Sequence, residues 1–313
     1  MDLSVFFAGT AGSVPTARRG LPAVVIRAGG TRILIDCGEG TQQQLLRSTG
    51  LTDLDAIFLT HYHLDHWLGL IGMLKTFDLR DRDHRLAIYG PPGLTGLFTT
   101  LKSVIGKLGY PLDLIELDPH DEVEFGDFAM TAFAVDHRVT AYGYAWTEPD
   151  RPGRFDAAKA AALGVAPGPD FGRLQAGETV GGVDPAQVVG EARRGRKLVF
   201  SGDTAPCQAV EVFAHEADLL VHEATFMEDE RDRARQTGHS TARQAAELAA
   251  AAQVRTLVLT HLSTRYFPRE VRREAREAYP GAIVARDFDE IVVPFPERGD
   301  PELISASSSE PAP

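Results

Sequence analysis

The sequence predicts an α/β layered fold, on three observations. Short β-branched and apolar runs alternate with helical stretches from one end of the chain to the other. Gly29 and Gly30 sit between two such runs and supply the positive φ that a tight hairpin turn needs. Residues able to bind metals or move protons recur just after the runs, where layered α/β folds collect their sites. Strands are expected at 3–9, 23–28, 31–36, 56–60, 86–89, 124–135, 197–201, 218–222, 256–260 and 291–294. Helices are expected at 41–48, directly after His66, and at 96–108, 208–215, 241–252 and 268–278. Thr241 and Gln244 form a T-x-x-Q capping box ahead of an alanine-rich run. Pro268 opens the last helix where its missing N–H costs nothing.

One stretch breaks the alternation. Residues 147–194 are rich in Gly, Pro, Ala and Asp, with one short helical piece at 155–163 ended by Gly164. So long a segment without regular structure is usually functional or disordered. It is expected to be a flexible substrate-binding arm inserted in a domain spanning 1–296. The polar end, 297–313, is expected to be a disordered tail. There is no run of eighteen apolar residues, and Asp2 stands where a secretory signal would be basic. The two cysteines, Cys37 and Cys207, read as buried free thiols, and a cytoplasmic protein is expected. A net charge of −12 argues against a general nucleic-acid coat protein, although an enzyme could still hold RNA through a local basic patch.

Of the ten histidines, three fall in His61-Tyr62-His63-Leu64-Asp65-His66, directly after the apolar run 56–60. A turn there can point His61 and His63 toward one cation, and Asp65 and His66 toward a second. Imidazole and carboxylate suit Zn²⁺ and its neighbours. His137 follows the run 124–135, Asp203 follows 197–201 and His261 follows 256–260. Each alone could be structural; as a series they fit the rest of a two-metal shell.

The pattern of an H-x-H-x-D-H cluster with a distant His, Asp and His resembles the metallo-β-lactamase superfamily. The resemblance implies an αββα sandwich with two metals in a cleft at the edge where the sheets meet. It places His61, His63 and His137 on one metal, Asp65, His66 and His261 on the other, and Asp203 between them. Finer motifs resemble the ribonuclease Z family: Gly9-Thr10-Ala11-Gly12-Ser13-Val14-Pro15-Thr16, Leu34-Ile35-Asp36-Cys37-Gly38-Glu39-Gly40-Thr41-Gln42, His222-Glu223-Ala224-Thr225-Phe226, Gly238-His239-Ser240-Thr241 and His261-Leu262-Ser263-Thr264-Arg265-Tyr266. Leu163-Gly164-Val165-Ala166-Pro167-Gly168-Pro169 resembles the Gly/Pro motif of that family's tRNA-binding arm. The implied activity is removal of the 3′ trailer of precursor tRNA, leaving a 3′-hydroxyl, by a homodimer. The chain departs from the family at Leu64, usually glycine, at Ile71, where proline is common, and at Gly20 and Pro22, usually asparagine and serine. Its arm is also poor in lysine, with Arg151, Arg154, Lys159 and Arg173 as the basic residues between 148 and 189.

Phosphodiester hydrolysis at neutral pH needs a nucleophile, charge neutralisation at phosphorus and a proton for the leaving oxygen. Two divalent ions, Zn²⁺ or alternatively Mn²⁺, set about 3.5–4 Å apart can supply the first two. Asp65 is expected to accept the proton of the attacking water. His239, not needed as a ligand, is expected to protonate the departing 3′-oxygen, with Glu223 holding its tautomer, which matches the family's assignment. His222 reads as structural, and His84, His120 and His215 as surface residues. RNA contact is expected from Arg193, Arg194, Arg196 and Lys197, from Arg18 and Arg19, and from Arg265. Two other functions compete. A hydrolase of the same fold could act on a small phosphodiester (a cyclic nucleotide) or a sulfate ester, which the lysine-poor arm and acidic charge favour. A non-catalytic RNA-binding or scaffolding protein is opposed by the complete set of ligand positions and His239.

Overall fold

The computed structural model describes residues 1–51 and 53–305. Strand β1 (Leu3–Gly9) pairs antiparallel with β2 (Ala23–Ala28), and β2 with β3 (Thr31–Ile35). The turn between β2 and β3 is the two-glycine hairpin, with Gly29 at a φ of 56°. From β3 the pairing becomes parallel through β4 (Ala56–Phe58), β5 (Leu86–Gly90) and β6 (Leu112–Glu116). Helices α1 (Thr41–Ser48), α2 (Leu64–Trp67), α3 (Leu70–Leu79) and α4 (Leu94–Ile105) occupy the crossovers. A second sheet holds β7 (Glu122–Glu124), β8 (Ala129–Ala134), β9 (Tyr142–Thr147), β10 (Lys197–Phe200), β11 (Leu219–Glu223), β12 (Leu257–Thr260) and β13 (Ile283–Val284), side by side in chain order. Finally β14 (Glu290–Val292) and β15 (Glu302–Ile304) return to the first sheet beside β1.

The run 124–135 is not one strand, because Gly126 at a φ of 77° turns the chain and makes a β7–β8 hairpin. The expectation of a disordered tail at 297–313 is overturned over its first part: Glu302–Ile304 pairs with β14 and extends the sheet. The remainder, 306–313, lies outside the described residues.

The chain divides into two compact units, one of residues 1–146 with 197–313 and one of residues 147–196. The smaller unit was expected to hold one helical piece; it holds α5 (Ala157–Ala162), α6 (Pro169–Gln175) and α7 (Pro185–Val188). Asp156 caps α5, and Asp184 with Gln187 forms a capping box on α7. Ala160, Val165, Leu174, Val180, Val183 and Val188 make a small core of its own.

In the larger unit, alternate residues of each strand face opposite ways. Val5, Phe7, Ile26, Ile33 and Ile35 of the first sheet meet Met130, Tyr144, Trp146, Leu198, Phe200 and Val221 of the second. The other register, including Phe6, Val25, Leu34, Ile57 and Leu59, packs under α1, α3 and α4 through Leu45, Met73, Leu74, Phe77 and Phe98. The outer face of the second sheet is covered by α8 (Gln208–Ala214), α10 (Ala242–Ala251) and α11 (Pro268–Ala278), with α9 (Arg231–Thr237) preceding α10. The layers are therefore helix, sheet, sheet, helix. Burial on both faces is the reason the strands read as continuous apolar runs. Each large side chain so buried contributes roughly 1.5–3 kcal/mol. Among the described residues, no helix is long and apolar enough to cross a membrane.

Candidate metal centre and active site

The candidate metal ligands follow the ends of β4, β8, β10 and β12, while Glu223 is the last residue of β11 and His239 lies between α9 and α10. The H-x-H-x-D-H loop leaves β4, with His63 capping α2 and Asp65 and His66 within that helix. Trp67 pins the loop by donating from Nε1 to the carbonyl of Tyr62 at 3.0 Å. Gly38 allows this loop to close against its neighbour, since a Cβ there would stand 2.4 Å from the Asp65 carbonyl. His261 and Asp36 take left-handed backbone angles, φ 55° and 56°. For residues other than glycine this conformation costs about 1–3 kcal/mol and clusters at functional sites.

The loops bring the predicted residues together. His61, His63, His137 and Asp203 each offer a ligand atom within 4.8 Å of the others, and so do Asp65, His66 and His261. Nε2 of His66 and Nε2 of His261 each lie 3.5 Å from Asp65 Oδ2 and 3.3 Å from Asp203 Oδ2. Asp203 is also 3.8 Å from Nε2 of His61, so it faces both groups. Asp203, His239 and His261 form a third close set.

The outward nitrogens are engaged. His66 Nδ1 lies 2.7 Å from Asp36, His61 Nδ1 3.0 Å from the Thr60 hydroxyl, His261 Nδ1 2.8 Å from the Thr225 hydroxyl and His137 Nδ1 2.7 Å from the Gly238 carbonyl. With Nδ1–H donated outward, Nε2 is a bare lone pair aimed inward. Among the described residues, the buried Nε2 atoms of His66 and His261 have no hydrogen-bond partner. The Nε2 atoms of His61 and His137 converge on Nδ1 of His63 at 2.9 and 3.3 Å. Lone pairs so close repel one another unless a cation or proton lies among them, so the donor set fits a metal.

Electrostatics agree with the geometry at three of the rings, while His66, facing Asp203 and Asp36, is raised well above its ordinary pKa against its burial. Burial, with His66 adding to it, holds His61 well below its ordinary pKa; burial also lowers His63 and His137, keeping these rings neutral. Burial opposes the charged form of Asp65, but the neighbouring His261 and His66 rings hold it well below the usual carboxylate range. Asp203 is likewise held far down by His261 and His66 against its burial. His239 differs. Its Nδ1 is 2.7 Å from Glu223 Oε1, and although burial disfavours the charged ring, that carboxylate raises its pKa to about 9.

The profile of the Beta-lactamase superfamily domain matches residues 31–155 and 145–262. A ribonuclease Z of Myxococcus xanthus is 45% identical over 305 residues, which cover 95% of this chain and 99% of that protein. The chain belongs to the ribonuclease Z family of the β-lactamase superfamily. A second ribonuclease Z, of Haloferax volcanii, is 45% identical over 94% of this chain and 96% of its own length. Among solved structures, human tRNase Z, short form, gives a TM-score of 0.67 at 28% identity, covering 93% of this chain and 99% of that one. YhfI from Bacillus subtilis, at a TM-score of 0.69 and 23% identity, shares the fold.

Reading the sequence for ribonuclease Z motifs did not assign Asp36, Thr60 or Thr225 a place in the site, because a threonine at a strand end carries no chemical signature. Nor did it foresee that the backbone N–H of Ser13 donates to Asp65 Oδ2 at 2.9 Å. Two arginines proposed for RNA contact are committed inside the protein. Arg196 is buried and ion-paired with Glu148 at 2.6 Å, and Arg19 donates to Thr10 and to the carbonyl of Ala285. His222 is fully buried, whereas His84, His120 and His215 are exposed.

Proposed function

We propose that this ribonuclease Z family member is a cytoplasmic, metal-dependent endoribonuclease that removes the 3′ trailer of precursor tRNA and leaves a 3′-hydroxyl. The observation that carries this reading is the His239–Glu223 pair set against a convergent His/Asp cluster, in a chain 45% identical to ribonuclease Z over 95% of its length. His61, His63 and His137 would hold one divalent ion, Asp65, His66 and His261 a second, and Asp203 both. Zn²⁺ fits this donor set, with Mn²⁺ as the substitute. Bound there, such ions supply Lewis-acid polarisation of a phosphate and hydroxide at neutral pH.

The chain's own groups account for the rest. Asp65, anionic at neutral pH, accepts the proton of the attacking water. His239, protonated on both nitrogens, keeps Nδ1–H on Glu223 and gives its Nε2 proton to the departing 3′-oxygen. Glu223 fixes the ring's orientation and favours its charged form. The family's homodimeric state is part of the same reading, with the 147–196 unit as the tRNA-gripping element.

The test is to incubate the protein, with Zn²⁺ or Mn²⁺ restored, with precursor tRNA bearing a short 3′ trailer, and to map the ends. A single cut after the discriminator base, lost in His61→Ala and His239→Ala, is expected. No RNA cleavage with good turnover of a small phosphodiester would transfer the function to small substrates.

A further inference from the structure

Behind the inward-facing histidines lie two buried carboxylates whose hydrogen bonds repeat one another. Asp36 accepts from the hydroxyl and the backbone N–H of Thr60, at 2.9 and 2.8 Å, and from Nδ1 of His66 at 2.7 Å. Glu223 accepts from the hydroxyl and the backbone N–H of Thr225, at 2.6 and 3.0 Å, and from Nδ1 of His239 at 2.7 Å. Each threonine oxygen then touches a second histidine: Thr60 reaches Nδ1 of His61 at 3.0 Å and Thr225 reaches Nδ1 of His261 at 2.8 Å.

A threonine hydroxyl has one hydrogen, and an ionised carboxylate has none to give. The hydrogens of Thr60 and Thr225 must therefore point to Asp36 and Glu223, leaving lone pairs that can only accept from the histidines. We propose that Thr60 and Thr225 are positioning residues of the metal centre. Each extends the negative end of its carboxylate to a second ring, locks His61 or His261 as the Nδ1–H tautomer and turns Nε2 inward. Asp36 and Glu223 thereby set two rings each. Both threonines are buried, at 1% and 5% exposure, so bulk solvent does not reach a missing hydroxyl. This rests on the reading of the seven residues as metal ligands.

The test compares Thr60→Val and Thr225→Val, which keep the shape and remove the hydroxyl, with Thr60→Ser and Thr225→Ser, which keep the hydroxyl. Zn²⁺ is titrated into metal-stripped full-length protein against a chromogenic chelator. Nitrogen-15 spectra of labelled histidines report the tautomers, and the unfolding midpoint of the stripped protein reports folding. Each valine variant is expected to lose about 10–100-fold in affinity at one site, the scale typical of groups that orient metal ligands. Each is also expected to lose the Nδ1–H signal of its histidine, and each serine variant to recover both. Valine variants that bind Zn²⁺ within about twofold of the parent would overturn the proposal, as would serine variants as weak as the valine ones. Should a valine variant not fold, a serine variant that folds but lacks the tautomer signal would overturn it too. A parent protein that binds no metal would instead refute the ligand reading itself.

Discussion

Asp36 beside the first sheet and Glu223 at the end of β11 are both buried carboxylates that hold one histidine directly and a threonine hydroxyl beside it. What differs is where the direct partner stands. The side chain of His66, on Asp36, is 2% exposed and turns Nε2 toward Asp65 and Asp203. The side chain of His239, on Glu223, is 11% exposed. One arrangement thus serves two chemistries. On the proposed reading, the His66 ring would offer a lone pair to a cation, whereas the His239 ring, charged through Glu223, would carry a proton that a substrate can take.

The comparison can be broken most severely at the ligands. His61→Ala is expected to lower metal content and abolish cleavage together, measured by elemental analysis beside the RNA assay. Next in size, His239→Ala should keep its full metal content and lose about 10²–10⁴-fold in kcat with KM little changed, the range for removing a general acid. Loss of metal in that variant would place His239 among the ligands, as its proximity to Asp203 and His261 permits. The charge-removing pair Asp36→Asn and Glu223→Gln sharpens the contrast, each with an effect of about 10–100-fold. Asp36→Asn should act on Zn²⁺ affinity, and Glu223→Gln on kcat as well as on affinity. The smallest effect is structural. Gly238, at a φ of 72° beside His137, should cost about 1–2 kcal/mol when changed to alanine, read as a lower unfolding midpoint.

Much of this was legible in the residues. The strands at 3–9 and 23–28 and the helices at 41–48 and 268–278 coincide with observed elements, the strands through their apolar runs and the last helix through Pro268 in its first turn. The H-x-H-x-D-H cluster declared itself because four ligand-type residues in six positions seldom serve packing. His137, Asp203 and His261 needed the fold to acquire a common point. Other features were silent for physical reasons. β9 carries Gly143 in mid-strand, where a Cβ would strike the ring of Phe133, so its pattern is interrupted. The helices of residues 147–196 are four to seven residues long, too short to show a period. α9 buries only Ala234 and displays no apolar stripe. The Asp36–Thr60 and Glu223–Thr225 pairs involve residues 24 apart and two apart, and neither spacing predicts that both end on histidines of one site.

The division of labour between the two halves is tested most directly with a precursor tRNA whose scissile 3′-oxygen is replaced by sulfur. A thiolate leaves without a proton, so the replacement bypasses the acid alone. The structure predicts that His239→Ala cleaves this substrate nearly as fast as the parent, while His61→Ala remains inactive. An equal loss for His239→Ala on the oxygen and sulfur substrates would contradict the assignment of His239 as the acid that the second half supplies.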